Sequence, residues 1–155
     1  MDAIDLHIVL YQPEIPPNTG NIARLCACTG CVLHMVHPLG FDISDRQLRR
    51  AGLDYWGHLD IRHYPDWQTL RATLQGNRRW YAFSTKGTRH LWDVQFAAGD
   101  ALVFGPESRG LPASILADLE PVRIPMRSDA EVRSLNLSSA CAIAVYEAVR
   151  QLVTA

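Results

Sequence analysis

ALVFGPESRGLP, residues 101–112, decides the architecture. Ala101–Phe104 is a short apolar run, the composition of a strand buried on both faces. Two glycines follow, Gly105 and Gly110, with Glu107 held between them, and Pro112–Leu119 then reads as a short helix. Strand, glycine-bearing loop and helix form the repeating unit of a parallel sheet. The unit recurs in both directions along the chain. Upstream, Leu6–Tyr11 is a buried strand, a helix capped by Asn18 or Thr19 runs to about Cys28, and Gly30 ends it. The stretch QPEIPPNTG between them is too rich in proline for either helix or strand. Val32–Val36 is a second strand, Ser44 or Asp45 starts a short helix to Arg50, and Pro65 fits the first turn of a helix to about Leu74. Trp80–Ser84 is another strand. Downstream, Val122–Ile124 is the last strand, and Asn136–Val153 carries helical periodicity along Leu137, Ala140, Cys141, Ala144, Val145, Ala148 and Leu152. The expectation is one α/β domain over residues 1–155 with a largely parallel sheet, and ligands beyond the carboxyl ends of its strands.

Composition narrows the function. The chain has 155 residues and a formal net charge of −1, so no global basic field draws in nucleic acid. A nucleic-acid ligand would need a local patch. Lys86 is the only lysine, and the remaining basic groups are arginines, whose planar fork suits phosphate; codon bias produces the same skew. No stretch approaches the length of a membrane span, and the N-terminal MDAIDLHIVLYQPE lacks a basic leader, so a cytoplasmic protein is expected. Cys26, Cys28 and Cys31, followed by His34 and His37, superficially resemble a metal cluster. Three-residue spacing on a strand sends two histidines to opposite faces, so these cysteines read better as small buried hydrophobes, and no metal is expected.

Three loops hold the candidate chemistry. PPNTGNIAR, residues 16–24, offers the amides of Asn18 and Asn21, with Arg24 one helical turn beyond Asn21; it reads equally as a capped helix with an exposed arginine. GPESRGLP, residues 105–112, combines Gly-Pro-Glu with a second glycine, which an ordinary βα turn rarely does. Ile124-Pro125-Met126 followed by Ser134-Leu135-Asn136-Leu137-Ser138 can cap the last helix and still present free N–H groups to a ligand. There is no G-x-G-x-x-G after a strand, no phosphate-binding G-x-x-x-x-G-K-[ST] and no G-x-S-x-G elbow.

In this order the loops resemble the three motifs of the SPOUT superfamily of RNA methyltransferases. The nearest likeness is to the small tRNA (cytidine/uridine) wobble ribose 2′-O-methyltransferases of the YibK/TrmL type. It rests on PEIPPNTGNIARLCACTG, RRAGLDYW, STKG, FGPESRGLPASIL, RIPM and SLNLSSACAIAVYEA, nearly the whole length. The resemblance implies a C-terminal trefoil knot, S-adenosyl-L-methionine as methyl donor and a homodimer with the active site near its interface. It implies cofactor contacts from Phe83, Gly105, Gly110, Ile124, Ser134 and Leu135, and a catalytic set of Asn18, Arg24, Glu107 and Asn136, with Ser134 beside them. Arg24 would activate the ribose hydroxyl, stabilise the developing alkoxide or hold the adjacent phosphate. Residues 127–133, RSDAEVR, fit no fixed pattern of the family. The implied substrate is a tRNA anticodon stem-loop methylated at the wobble ribose, with Arg46, Arg49, Arg50, Arg78, Arg79 and Arg89 as candidate phosphate contacts. A methyltransferase acting at another RNA site, a non-catalytic RNA-binding module and a small-molecule enzyme are the competing classes.

Overall fold

The computed structural model describes residues 1–44, 46, 48, 50, 57 and 59–154. The strands are β1 (His7–Tyr11), β2 (Val32–Val36), β3 (Ile61–Tyr64), β4 (Trp80–Phe83), β5 (Arg89–His90), β6 (Ala101–Phe104) and β7 (Glu120–Arg123). The helices are α1 (Pro16–Thr29), α2 (Trp67–Thr73), α3 (Ala113–Asp118) and α4 (Leu137–Thr154). The strands form one sheet in the order β3-β2-β1-β6-β4-β7-β5. Every pairing is parallel, as the alternation of strands and helices predicts.

Period-two alternation divides the core between the two faces of this sheet. Ile8, Leu10, Leu33, Met35, Tyr81, Phe83, Leu102 and Phe104 pack against Ile22, Ala23 and Cys26 of α1 and against Cys141, Ala144, Val145 and Ala148 of α4. Val9, Val36, Tyr64, Ala82 and Val103 face the other way, against Trp67 and Leu70 of α2 and Ile115 of α3. Cys26, Cys31 and Cys141 are buried and Cys28 is exposed. Burial pushes the Cys26, Cys31 and Cys141 thiols up, as expected of cysteines serving as small hydrophobes.

Several boundaries differ from the sequence reading. Helix α1 begins at Pro16, and Asn18 and Thr19 lie inside its first turn rather than capping it. Two prolines at the first helical positions lose nothing there, because those N–H groups have no partner within the helix. Gly30 ends α1 as expected, with φ 83° and its N–H on the Cys26 carbonyl. Strand β7 starts two residues early, at Glu120. Its Pro121 is tolerated because β5 pairs only with Val122 and Arg123, which leaves the proline on an open edge. Strands β3 and β5 were not anticipated: both are sheet edges, and neither IRHY nor RH is an apolar run. The expected helix from Ser44 or Asp45 to Arg50 falls only in part among the described residues, and most of RRAGLDYW, with Arg49 as a phosphate contact, falls outside them.

Candidate active site

The site lies beyond the carboxyl ends of β6, β4 and β7, on one side of a reversal in strand order. Between β1 and β6 the chain changes direction of travel, β1 leading outward to β2 and β3, and β6 being inserted from the other half. Loops leaving such strands at their carboxyl ends diverge and leave a crevice. Here the loops after β4, β6 and β7 and the entry to α4 enclose a cavity of about 500 Å³. Its walls include all six residues expected to hold the methyl donor: Phe83, Gly105, Gly110, Ile124, Ser134 and Leu135. Asn18, Glu107 and Asn136 line it as well.

The glycines of the second loop are there for steric reasons. A Cβ on Gly105 would sit 2.4 Å from the Leu111 nitrogen and 2.5 Å from the Gly110 carbonyl carbon, so the loop closes on itself only with glycine at 105. Gly110 has φ +69°, where side chains are disfavoured. Its N–H donates to the Pro106 carbonyl at 2.8 Å. The result is a tight turn that puts peptide groups, rather than side chains, against the cavity.

Glu107 fastens that turn to the loop after β1. Its carboxylate accepts from the backbone N–H of Glu14 (3.0 Å) and Ile15 (2.6 Å), and from Asn18 Nδ2 (3.3 Å). Asn18 Oδ1 in turn accepts from Asn136 Nδ2 at 3.1 Å. Asn136 Oδ1 accepts from the backbone N–H and hydroxyl of Ser138, which caps the start of α4. One relay, Glu107–Asn18–Asn136, therefore joins the three loops singled out in the sequence. A second bond set runs the other way: the Glu14 carboxylate accepts from the Ser108 N–H (2.8 Å) and hydroxyl (2.7 Å). These bonds hold the Glu14 carboxyl below its usual range. With three donors already on Glu107, its geometry is that of a clamp rather than a proton acceptor.

Arg24 stands apart. It is exposed on α1 and is not among the cavity walls. Three of the expected phosphate contacts, Arg78, Arg79 and Arg89, also lie outside the cavity walls. Arg78 donates to the Gly99 and Gln75 carbonyls. Arg78 and Arg79 precede β4, at the end of the sheet opposite the cavity. Arg89 is paired with Glu120. The basic groups that do line the cavity are Lys86, Arg109, Arg123 and Arg133. Arg78 and Arg79 are not among them, because in a parallel sheet residues before a strand's start are remote from the loop after its end.

A sequence model described as the SpoU rRNA Methylase family matches residues 5–146. The chain belongs to that family. A Yersinia pestis protein, tRNA (cytidine(34)-2′-O)-methyltransferase, is 53% identical over 154 residues, 95% of this chain and 94% of that one. A solved structure described as giving structural insights into the 2-OH methylation of C/U34 on tRNA superposes with a TM-score of 0.92 at 49% identity, covering 97% of each chain. The SpoU methyltransferase AviRb from Streptomyces viridochromogenes, solved with the cofactor AdoMet, shares the fold at a TM-score of 0.82 and 24% identity; it covers 99% of this chain and 60% of its own. The SpoU family is thus the setting in which this cavity and its clamp are to be read. Glu14 and Ser108, half of that clamp, had no distinguishing signal in the sequence, since only the fold brings residues 94 positions apart together.

Proposed function

We propose that the chain transfers a methyl group from S-adenosyl-L-methionine to the 2′-hydroxyl of the wobble ribose, cytidine or modified uridine, in a tRNA anticodon loop. The supporting observation is a cavity of about 500 Å³, walled by all six expected cofactor residues, in a chain 53% identical over nearly its full length to a tRNA (cytidine(34)-2′-O)-methyltransferase. The cavity has the size and mixed lining of a cofactor site. Its self-closing turn at Gly105 gives the peptide-walled cradle that a flat, polar nucleoside needs. Phe83, Gly105, Gly110, Ile124, Ser134 and Leu135 would hold the cofactor, which supplies a methyl group on a positively charged sulfur.

The remaining work falls to this chain's own residues. An in-line displacement needs the attacking oxygen aligned, and alignment alone is worth on the order of 7–11 kcal/mol. The Glu107–Asn18–Asn136 relay fixes the loops that set this alignment. Arg24 meets the RNA, where a guanidinium steadies the developing alkoxide or the neighbouring phosphate. Its place on the exposed side of α1 fits a homodimer in which a second copy covers α1 and the outer stripe of α4, where Ile143 and Tyr146 are exposed; Arg24 then lies at the interface beside a cavity. Light scattering at working concentration returns a dimer mass on this reading, and a monomer mass would remove it. The C-terminal part is threaded as a trefoil knot, in keeping with the close approach of Gly87 to the β7 backbone. An experimental backbone trace that pulls straight from both ends would disprove that. A cytoplasmic location follows from such a substrate; among the described residues no helix is long and apolar enough to cross a membrane.

The deciding experiment is a radiolabelled methyl-transfer assay on total tRNA, followed by mass-spectrometric mapping of the methylated nucleotide in a deletion strain and its parent. A methyl lost from position 34 supports the proposal. A methyl lost only from ribosomal RNA keeps the ribose methyltransferase class and defeats the wobble assignment. No transfer to any RNA leaves the non-catalytic binding module and the small-molecule enzyme.

A further inference from the structure

Trp92 is 61% exposed, whereas Trp67 is buried and Trp80 half-buried. An isolated exposed apolar residue is ordinary, but the surroundings of Trp92 are not those of a loose surface side chain. It sits in the middle of a single 3-10 turn, Leu91–Asp93, immediately after β5. Both flanks of that turn are fastened. Leu91 is buried in the core, the Val94 N–H donates to the Leu91 carbonyl at 3.1 Å, and Arg89 Nη2 donates to the Asp93 carbonyl at 2.9 Å. The backbone is thus held while the indole is turned outward.

The indole leads back to the cavity through two contacts. Its ring meets the His90 ring edge-on, with centroids 5.8 Å apart. Arg123, which has no acceptor of its own, donates through Nη2 to His90 Nε2 at 2.9 Å. Arg123 ends β7 and is a wall of the cavity, as is Lys86 in the neighbouring loop. Because the sheet is parallel, Trp92, Arg123 and Lys86 all follow carboxyl ends of strands, on the side where the cavity opens. Strand β5 pairs with β7 alone, so the far side of this cluster is an open sheet edge among the described residues.

An exposed aromatic face backed by histidine and arginine, with a lysine on the wall of the neighbouring cavity, is the chemistry of single-stranded nucleic-acid binding: every base has a face to stack, and every nucleotide has a phosphate to neutralise. The chain as a whole carries a net charge of −1, so binding depends on such local features. We propose that Trp92, backed by His90 and through it by Arg123, is a stacking platform for an unpaired RNA base adjacent to the nucleotide being methylated. This rests on the RNA methyltransferase reading and adds to it a positioning residue outside the cofactor cavity. Trp92 touches neither cofactor nor reacting atoms; it orients the substrate loop.

The test uses the full-length protein, total tRNA as methyl acceptor and a fluorescein-labelled anticodon stem-loop with cytidine at the wobble position. Trp92→Ala is expected to weaken stem-loop binding, and to raise KM for tRNA, by about tenfold. It should leave kcat at saturating tRNA, S-adenosylmethionine affinity and the melting temperature unchanged. Trp92→Phe is expected to recover most of the loss, because a smaller ring still stacks. Quenching of indole fluorescence on RNA binding should be smaller in Trp92→Phe than in the parent. An unchanged stem-loop affinity and KM in Trp92→Ala, in a protein that still methylates tRNA, would overturn the platform and leave the methyltransferase reading standing. Failure of the parent protein to bind or methylate any RNA would overturn both.

Discussion

The clamp around Glu107 and the buried chain His7–His34–Tyr64 are both polar networks joining neighbouring strands of one sheet, and they solve opposite problems. Glu107 is only partly buried and takes three donors, two of them backbone N–H groups, onto one carboxylate. The histidine chain lies inside: His34 is fully buried, with Nε2 2.8 Å from His7 Nδ1 and Nδ1 2.9 Å from the Tyr64 hydroxyl. Charge is affordable at the clamp, where water reaches one side, and charged acceptors make the stronger bonds. Under the sheet a charge would be stripped of water, so the groups there are neutral and pass hydrogen bonds along a line. Burial, aided by repulsion from His7 and Arg62, lowers the His34 pKa to about 3. The clamp lines the cavity, whereas the buried chain does not.

Substitutions separate the two roles, and the largest effect is expected at Arg24. Arg24 lies outside the cavity walls, and Arg24→Ala is expected to cut methyl transfer by roughly 10²–10³-fold, the range for losing one transition-state donor. Calorimetric affinity for S-adenosylmethionine should stay within about twofold of the parent. Equal losses of activity and cofactor affinity would place Arg24 with the clamp. Glu107→Ala is next. It strands the Glu14 and Ile15 N–H groups and Asn18, and is expected to cost on the order of 2 kcal/mol in stability. Cofactor affinity and rate should fall together, and Glu107→Gln should fall between. If Glu107→Ala lowers the rate with cofactor affinity intact, Glu107 handles the ribose proton and is more than a clamp.

Three members of the clamp were singled out in the sequence, and the histidine chain was not. Glu107 stood out because Gly-Pro-Glu with a second glycine is unusual for a plain connection, whereas Asn18 and Asn136 read equally as helix caps and were singled out by the resemblance. Their contact with one another was not readable, since they are 89 and 118 residues apart. His34 looked like part of a cysteine–histidine cluster because its real partners lie on other strands, one of which, β3, has no apolar signature. The central strands were visible as apolar runs. Edge strands β3 and β5 were not, being defined by their neighbour rather than by their own residues. The exposed Arg24 shows the limit of loop reading: proximity in the chain to Asn18 did not put it in the same cavity.

The buried chain makes its own prediction, a pH dependence of stability. Unfolded, a histidine titrates near ~6.5; folded, His34 resists protonation until about 3. Between these values the unfolded state binds the extra proton, so stability is complete above the unfolded pKa and is lost as pH falls toward the folded one. The limiting slope is ~1.4 kcal/mol per pH unit for one such group. His7 shifts in the same direction, mainly through desolvation. His34→Gln keeps hydrogen-bonding atoms but cannot titrate, so its urea-unfolding free energy should fall less steeply with acid than the parent's. Parallel profiles would mean that His34 is not held neutral.

The smallest effect is expected at the outer half of the clamp, Glu14 with Ser108. These bonds are short, at 2.7–2.8 Å, but both side chains are at the surface. Water replaces a lost partner there at little cost, unlike at Glu107, where the stranded groups are partly enclosed. Ser108→Ala removes the hydroxyl and leaves the backbone donor, so cofactor affinity at neutral pH should change by less than about threefold. The Ser108 donors hold the Glu14 carboxyl below its usual range. Their contribution is therefore present above the ordinary glutamate pKa and is lost only as pH falls through the depressed one. The difference between parent and Ser108→Ala should accordingly shrink in acid below that range. Calorimetry with S-adenosylmethionine, run near neutrality and repeated in acid, measures both. A Ser108→Ala loss as large as that of Glu107→Ala would shift the centre of the clamp from the enclosed carboxylate to the exposed one, and the distinction between a shielded and a solvated half would fall with it.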